Sequence, residues 1–273
     1  MLLGCFGRAD QMDLVRRAGF GAMELDIMEL SRMDGPAFDS FAKACAASGL
    51  RFEAFSGFMP LTERIHDAGF DMPRWLEHAK AMGGRTARLG ARVWPMGAGK
   101  CRSIPEGADP QAAGQKVVEF FGGICDAVRE YGITVAVEPL GPANSNHIRR
   151  IAEAADTARR IGAKNCRAMC DLRHMASVGE PLGEISRHAE WIAHAHVDYP
   201  FGALRLFPRD GDGFDYGPYV AALLGAGIPS LAVEATAWGD FLEDASASAA
   251  LLRRLLAQGE ASRTQAEQRR RAE

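Results

Sequence analysis

Short apolar runs alternate with longer stretches of helical periodicity from one end of this sequence to the other, and that alternation restricts its fold more than any other feature. Eight strands are expected, at Leu2–Phe6, Ala22–Ile27, Leu50–Phe55, Thr86–Gly90, Ile133–Glu138, Cys166–Asp171, Ile192–Val197 and Leu231–Glu234. Helices are expected near 10–18, 34–48, 71–82, 109–131, 147–161, 182–190, 216–226 and 240–258. Parallel neighbours cannot be joined by a tight turn, so strands separated by helices read as parallel strands with crossover connections. Gly19, Gly49, Gly83, Gly132 and Gly162 stand where helices are expected to end, in positions that favour a left-handed residue.

Eight such units in 273 residues fit a closed (β/α)8 barrel better than an open doubly wound sheet. An open sheet of that kind would carry a glycine-rich phosphate loop after its first strand, whereas "CFGRAD" has a single glycine there. The expectation is a single α/β domain over residues 1–258, followed by a charged tail, "GEASRTQAEQRRRAE", at 259–273. With 47% hydrophobic and 25% charged residues the chain can bury a sizeable core. Its net charge of −3 argues against a nucleic-acid partner held by bulk electrostatics. No apolar run approaches the roughly 18 residues of a membrane span, and the opening "MLLGCFGRADQMD" lacks the basic and apolar regions of a secretory signal, so no membrane association and a cytoplasmic location are expected. The six cysteines are scattered, with no C-x-x-C pair, which signals neither a disulfide framework nor structural zinc.

In such a barrel the chemistry gathers at the C-terminal ends of the strands. The fifth strand ends in Glu138, the sixth in Asp171, the seventh in His196 and the eighth in Glu234, so consecutive strands deliver four groups able to bind a metal. Any one acid could simply cap a helix or pair with a base. Three carboxylates crowded on one rim, however, would resist ionising together unless a cation stood among them. Hard oxygen donors with one imidazole and no thiolate favour a divalent ion, manganese first, with magnesium or cobalt as alternatives. In "WIAHAHVDY", His194 and His196 share a face. His196, at the strand end, is the expected ligand; His194, one layer deeper, is expected to pack or to support it.

The motifs "VAVEPL", "CDLRHM", "HAHVDY", "RLFPRDGDGFDY" and "LAVEA", with "AGFGAMEL" at the second strand, resemble those of the xylose-isomerase-like TIM barrels of the sugar phosphate isomerase/epimerase superfamily. The resemblance implies that Glu138, Asp171, His196 and Glu234 bind one divalent ion and that Glu138 and Glu234 form the catalytic acid/base pair. It further implies that His174 and Arg205 hold substrate oxygens, with Arg209 as a competitor of Arg205. One departure stands out. Ketose epimerases of this type often carry a further glutamate within an Asn-Arg-x-Glu run after the fifth strand, whereas "EPLGPAN" places Gly141 and Asn144 there.

The implied activity is isomerisation or epimerisation of a small carbohydrate, a ketose or keto-cyclitol, by removal of a proton next to a carbonyl and passage through an enediolate that the metal stabilises. A lyase using the same chemistry, on an inosose, a dehydroshikimate or a C-glycoside, is the nearest alternative. A sugar-binding barrel subunit that needs a partner is another, and the partners expected are a small carbohydrate substrate and, for assembly, a second copy of the chain in a homo-oligomer. A DNA-repair nuclease of this fold would need additional histidines at the early strand ends, and "FEAFSGF" and "ARLGARVW" have none. Arg85, Arg88, Arg92, Lys100 and Arg102 are candidates for an anion site or a solvated basic stretch. Phe6, Phe58, Trp94 and Phe207 are candidates for the mouth, and Glu24 for either the mouth or an ion pair with an arginine.

Overall fold

The computed structural model describes residues 1–272. Eight parallel strands, β1 Leu2–Phe6, β2 Ala22–Asp26, β3 Phe55–Ser56, β4 Val93–Met96, β5 Thr134–Val137, β6 Cys166–Asp171, β7 Ile192–Val197 and β8 Ser230–Val233, follow one another around a barrel. The ladder runs from β3 through β2 and β1 to β8 and on to β4, and a bridge from Ala54 to Val93 closes the remaining gap. Ten α-helices lie between and after the strands: α1 Met12–Ala18, α2 Ile27–Ser31, α3 Gly35–Ser48, α4 Met72–Leu89, α5 Pro110–Val128, α6 Ile151–Ile161, α7 Leu172–Ser177, α8 Gly183–Arg187, α9 Gly217–Gly225 and α10 Phe241–Ala272. The expected single-domain (β/α)8 barrel is the fold observed.

The main core lies between sheet and helices. Val135, Val137, Leu231 and Val233 on the outer strand faces join Phe120, Phe121, Ile124 and Leu252 from the helices, all effectively removed from water. At roughly 1.5–3 kcal/mol for each large apolar side chain, this burial is what holds the helices on the barrel. A smaller cluster, Ala54, Val93, Ala136 and Met169, is separate from it. Ala136 and Met169 stand two residues before Glu138 and Asp171 and therefore face the barrel interior as those acids do. No described helix is long and apolar enough to cross a membrane, and all six cysteines are buried free thiols.

The sequence misplaces the fourth strand. Thr86–Gly90 is the last turn of α4, where Thr86 Oγ1 donates to the Met82 carbonyl at 2.9 Å in a helical back-bond. The strand begins at Val93 instead, and it contains Pro95, a residue that counts against strand in any pattern reading. Gly83 is accordingly inside α4, and Gly90, at φ 108°, ends it. The other four helix-ending glycines do adopt positive φ. The third strand is shorter than expected, with only Phe55–Ser56 in regular pairing. Two helices go unforeseen, α2 and α7, each started by a strand-end aspartate: Asp26 accepts from the Met28 and Glu29 amides, and Asp171 from the His174 amide. The last helix runs beyond 258 to Ala272.

Candidate metal centre and active site

Register carries the four strand-end groups to one place. Asp171 and His196 pair across β6 and β7, while Glu138 and Glu234 follow β5 and β8 directly. One donor atom from each of Glu138, Asp171, His196 and Glu234 lies within 4.8 Å of all the others. Glu138, His196 and Glu234 line a cavity of about 240 Å³ whose wall also includes Phe6, Phe58, Met59, Leu61 and Asn144.

The orientation of His196 follows from what lies beneath it. Its Nε2 faces the Glu24 carboxylate at 3.1 and 3.2 Å and so carries the ring hydrogen. Glu24 also receives Nε2 of His194 at 3.2 Å, and Nδ1 of His194 in turn accepts from the Ser230 hydroxyl at 2.7 Å. Glu24 is thus buried between two histidines, not paired with an arginine. Burial alone would raise its carboxyl, but His196 and His194 outweigh it and hold the group well below the usual range. In a neutral His196 the remaining nitrogen, Nδ1, points a lone pair at the carboxylates. It lies 3.1 Å from Glu234 Oε2, 3.6 Å from Glu138 Oε1 and 3.9 Å from Asp171 Oδ2.

Glu138 Oε1 and His196 Nδ1 are both buried and without a hydrogen-bond partner, and an orphaned lone pair facing orphaned carboxylate oxygen is unfavourable unless a positive charge intervenes. Two positive charges respond to it here. Arg205 Nη1 reaches Glu234 Oε2 at 2.5 Å and Asp171 Oδ2 at 3.3 Å, standing in for a cation. The imidazole of His196 is the other: burial opposes its protonation, yet Glu24 and Glu234 raise its pKa well above the ordinary value. Burial likewise pushes the Asp171 and Glu234 carboxyls up, but Arg205 and the histidines bring both below their ordinary values. The donor set, three carboxylates and an imidazole Nδ1 that a divalent ion would meet in its unprotonated form, fits a divalent ion that prefers oxygen.

His174 joins the same cluster from α7. Its Nδ1 accepts from the Gly141 amide at 3.1 Å, which leaves the hydrogen on Nε2. That N–H meets Arg205 Nη2 at 3.0 Å, donor against donor. An acceptor oxygen between them would satisfy both. Arg209, by contrast, pairs with Asp244 away from the four strand-end groups. Arg205 is held near the mouth by a loop pinned from β6's side: Arg173 bonds Asp198 at 2.6 Å and the Gly202 carbonyl at 2.9 Å.

Of the expected mouth aromatics, Phe6 and Phe58 line the cavity. Trp94 is fully buried behind β4, donating to Thr86 at 3.2 Å, and Phe207 packs on Trp238 and Phe241. The basic stretch does not converge. Arg85 binds the Leu30 and Met33 carbonyls, Arg88 pairs with Asp39, and Arg102 is buried beneath Glu138. Sequence reasoning missed the roles of Glu24, Asp198 and Arg102. The spacing of Glu24 to its strand end, two residues before Asp26 on β2, was the available signal for an inward-facing acid.

No curated protein matches the chain by sequence. Among solved structures it is similar to D-psicose 3-epimerase of Clostridium cellulolyticum H10 with D-tagatose, at 15% identity and TM-score 0.80 over 94% of this chain and 99% of that one. It is similar to an L-ribulose 3-epimerase at 17% identity and TM-score 0.81, covering 97% and 98%. It is also similar to a 3-keto-D-glucoside 4-epimerase of E. coli at 16% and 0.77, covering 93% and 99%. The family described as xylose isomerase-like TIM barrel matches residues 12–255, nearly the whole barrel, and the chain belongs to that family.

Proposed function

We propose that the protein is a divalent-metal-dependent isomerase or epimerase of a ketose or keto-cyclitol, with manganese as the preferred ion. The observation that carries this reading is the pair of buried, partnerless atoms, Glu138 Oε1 and His196 Nδ1, facing each other within the four-residue cluster. The epimerases among its structural neighbours act on sugars and share its barrel, which supports a carbohydrate substrate. Glu138, Asp171, His196 and Glu234 would hold the ion, which when bound supplies Lewis-acid polarisation of a carbonyl oxygen and neutralises the carboxylates.

The chain's own residues do the rest. Glu138 and Glu234 arrive from β5 and β8, and β6 and β7 separate them around the barrel, so a substrate over the cluster meets a carboxylate at either side. One takes the proton from carbon next to the carbonyl, and the other returns a proton to the opposite face or to the neighbouring carbon. His174 Nε2 and the Arg205 guanidinium donate to substrate oxygens from the third side. Phe6, Phe58 and Met59 give the cavity an apolar wall.

The test is proton–deuterium exchange, followed by NMR on a panel of ketoses and inososes, with and without added manganese. Exchange that requires the ion is expected in the wild type, and a loss of at least about 100-fold in Glu138→Gln and in Glu234→Gln. The product separates epimer, isomer and elimination. Full activity in either variant with metal still bound would overturn the reading.

A further inference from the structure

Glu138 is gripped from behind by a buried charge. Arg102, fully buried at the end of a 3₁₀ turn Gly99–Arg102, donates from Nη2 to the Glu138 carbonyl at 2.8 Å and to the Ile148 carbonyl at 3.0 Å, and from Nε to the His147 carbonyl at 3.2 Å. Among the described residues no carboxylate forms an ion pair with the guanidinium, and its Nη1 has no partner. Burial brings it down to about 10, which still leaves it protonated at neutral pH. A guanidinium taken out of water on backbone carbonyls alone is a costly arrangement, and it is spent on one short stretch of chain.

Three independent features converge on the same stretch. Among the described residues, two that are not glycine have positive φ: Ala98 at 54°, which opens the turn carrying Arg102, and Ile148 at 56°, whose carbonyl Arg102 holds. A β-branched residue in the left-handed region is strained and persists only where its surroundings over-determine it. The Ile148 carbonyl also accepts from the Leu140 amide at 3.0 Å, so the loop after β5 is tied at both ends to the same point. On the other side of the carboxylate stands Gly97. A Cβ there would lie 2.4 Å from Glu138 Oε2, so only glycine leaves room for the acid where it is.

We propose that Arg102 and Gly97 are positioning residues for Glu138: the buried guanidinium fixes its backbone, and the missing side chain admits its carboxylate to the centre. The strain at Ala98 and Ile148 is borne by the two loops that Arg102 joins. The inference rests on the reading of Glu138 as a metal ligand and base, and its test separates the two.

The probe is Mn²⁺ alone, and the readout is its dissociation constant on the purified full chain, with thermal melting as the check on folding. Wild type is expected to bind Mn²⁺, and if it does not, the metal reading itself falls. Arg102→Met and Gly97→Ala are each expected to weaken binding by about 10- to 100-fold, with Arg102→Lys between Arg102→Met and wild type. In a Glu138→Gln background, Arg102→Met should add no further loss, because the arginine acts through that residue. Losses that add in that background would overturn the proposal, as would a folded Arg102→Met or Gly97→Ala variant that binds Mn²⁺ like wild type. Should Arg102→Met fail to fold, Gly97→Ala decides, since its methyl meets the far end of a side chain and not the backbone.

Discussion

Glu24 and His196 form a buried contact in which the carboxylate takes the Nε2 hydrogen at 3.1 Å and so turns Nδ1 toward the three strand-end acids. A histidine that binds a metal through one nitrogen needs the other fixed, and a carboxylate behind it also raises its basicity. Glu24→Gln keeps the volume but offers one oxygen and one amide to two histidines that both donate. The expected result is a Mn²⁺ affinity lower by about 10- to 100-fold, measured by calorimetry or by competition with a chelator. An unchanged affinity would mean that His196 is oriented by packing alone.

Arg205 sets a positive charge beside two of the strand-end acids. With Nη1 on both Asp171 and Glu234 it balances part of their charge. Arg205→Met should therefore destabilise the metal-free form by about 2–3 kcal/mol, less than a fully buried pair would lose because the side chain is 17% exposed. Mn²⁺ should restore more stability to this variant than to wild type, since the ion supplies the positive charge that the variant lacks. Urea unfolding with and without the ion measures both. Equal stability of the two metal-free proteins would show that Arg205 carries none of the charge balance.

Stability of the metal-free protein should fall toward both ends of the pH scale. Asp171 and Glu234 have pKa values below their ordinary 3.8 and 4.5, so the stability they contribute is present above those values and is lost as the pH drops through their lower folded values. His196 behaves oppositely. Its pKa is raised above the ordinary 6.5, so its contribution is complete below 6.5 and is lost as the pH rises through the folded value. A divalent ion needs the unprotonated imidazole, so its stabilisation should grow with pH. Melting temperatures from about pH 5 to about pH 8, with and without Mn²⁺, should diverge as the pH rises; parallel curves would remove His196 from the ligand set.

What could be read in advance depended on how far each feature lies from its cause in the chain. Glu138, Asp171, His196 and Glu234 each end a run whose strand character is local, so alternation and the barrel rule bring them to one rim. Glu24 could not be assigned, because its partner His194 lies 170 residues away across the barrel. Arg102 looked like one member of a basic stretch, since nothing near it in the chain says that its guanidinium turns inward to Glu138 and Ile148. α7 has a single sequence signal, the capping Asp171, and that residue was already claimed as a ligand; the cap uses only Oδ1, on the His174 amide, while Oδ2 meets Arg205.

The two adjacent glycines of α4 show how packing overrides local preference. Alanine is favoured over glycine inside a helix by about 0.8–1.0 kcal/mol, so each substitution would stabilise an isolated helix. A Cβ on Gly83, however, would stand 2.6 Å from Tyr131 Cδ2, whereas one on Gly84 finds nothing nearer than 3.7 Å. Gly84→Ala is therefore expected to stabilise the protein by up to about 1 kcal/mol. Gly83→Ala must push the Tyr131 ring off its place, at an overpacking cost of about 1–3 kcal/mol that exceeds the helical gain. Urea unfolding of the two variants should give changes of opposite sign. Stabilisation by both would mean that Tyr131 yields freely, and that α4 is held against the turn after α5 less tightly than this contact implies.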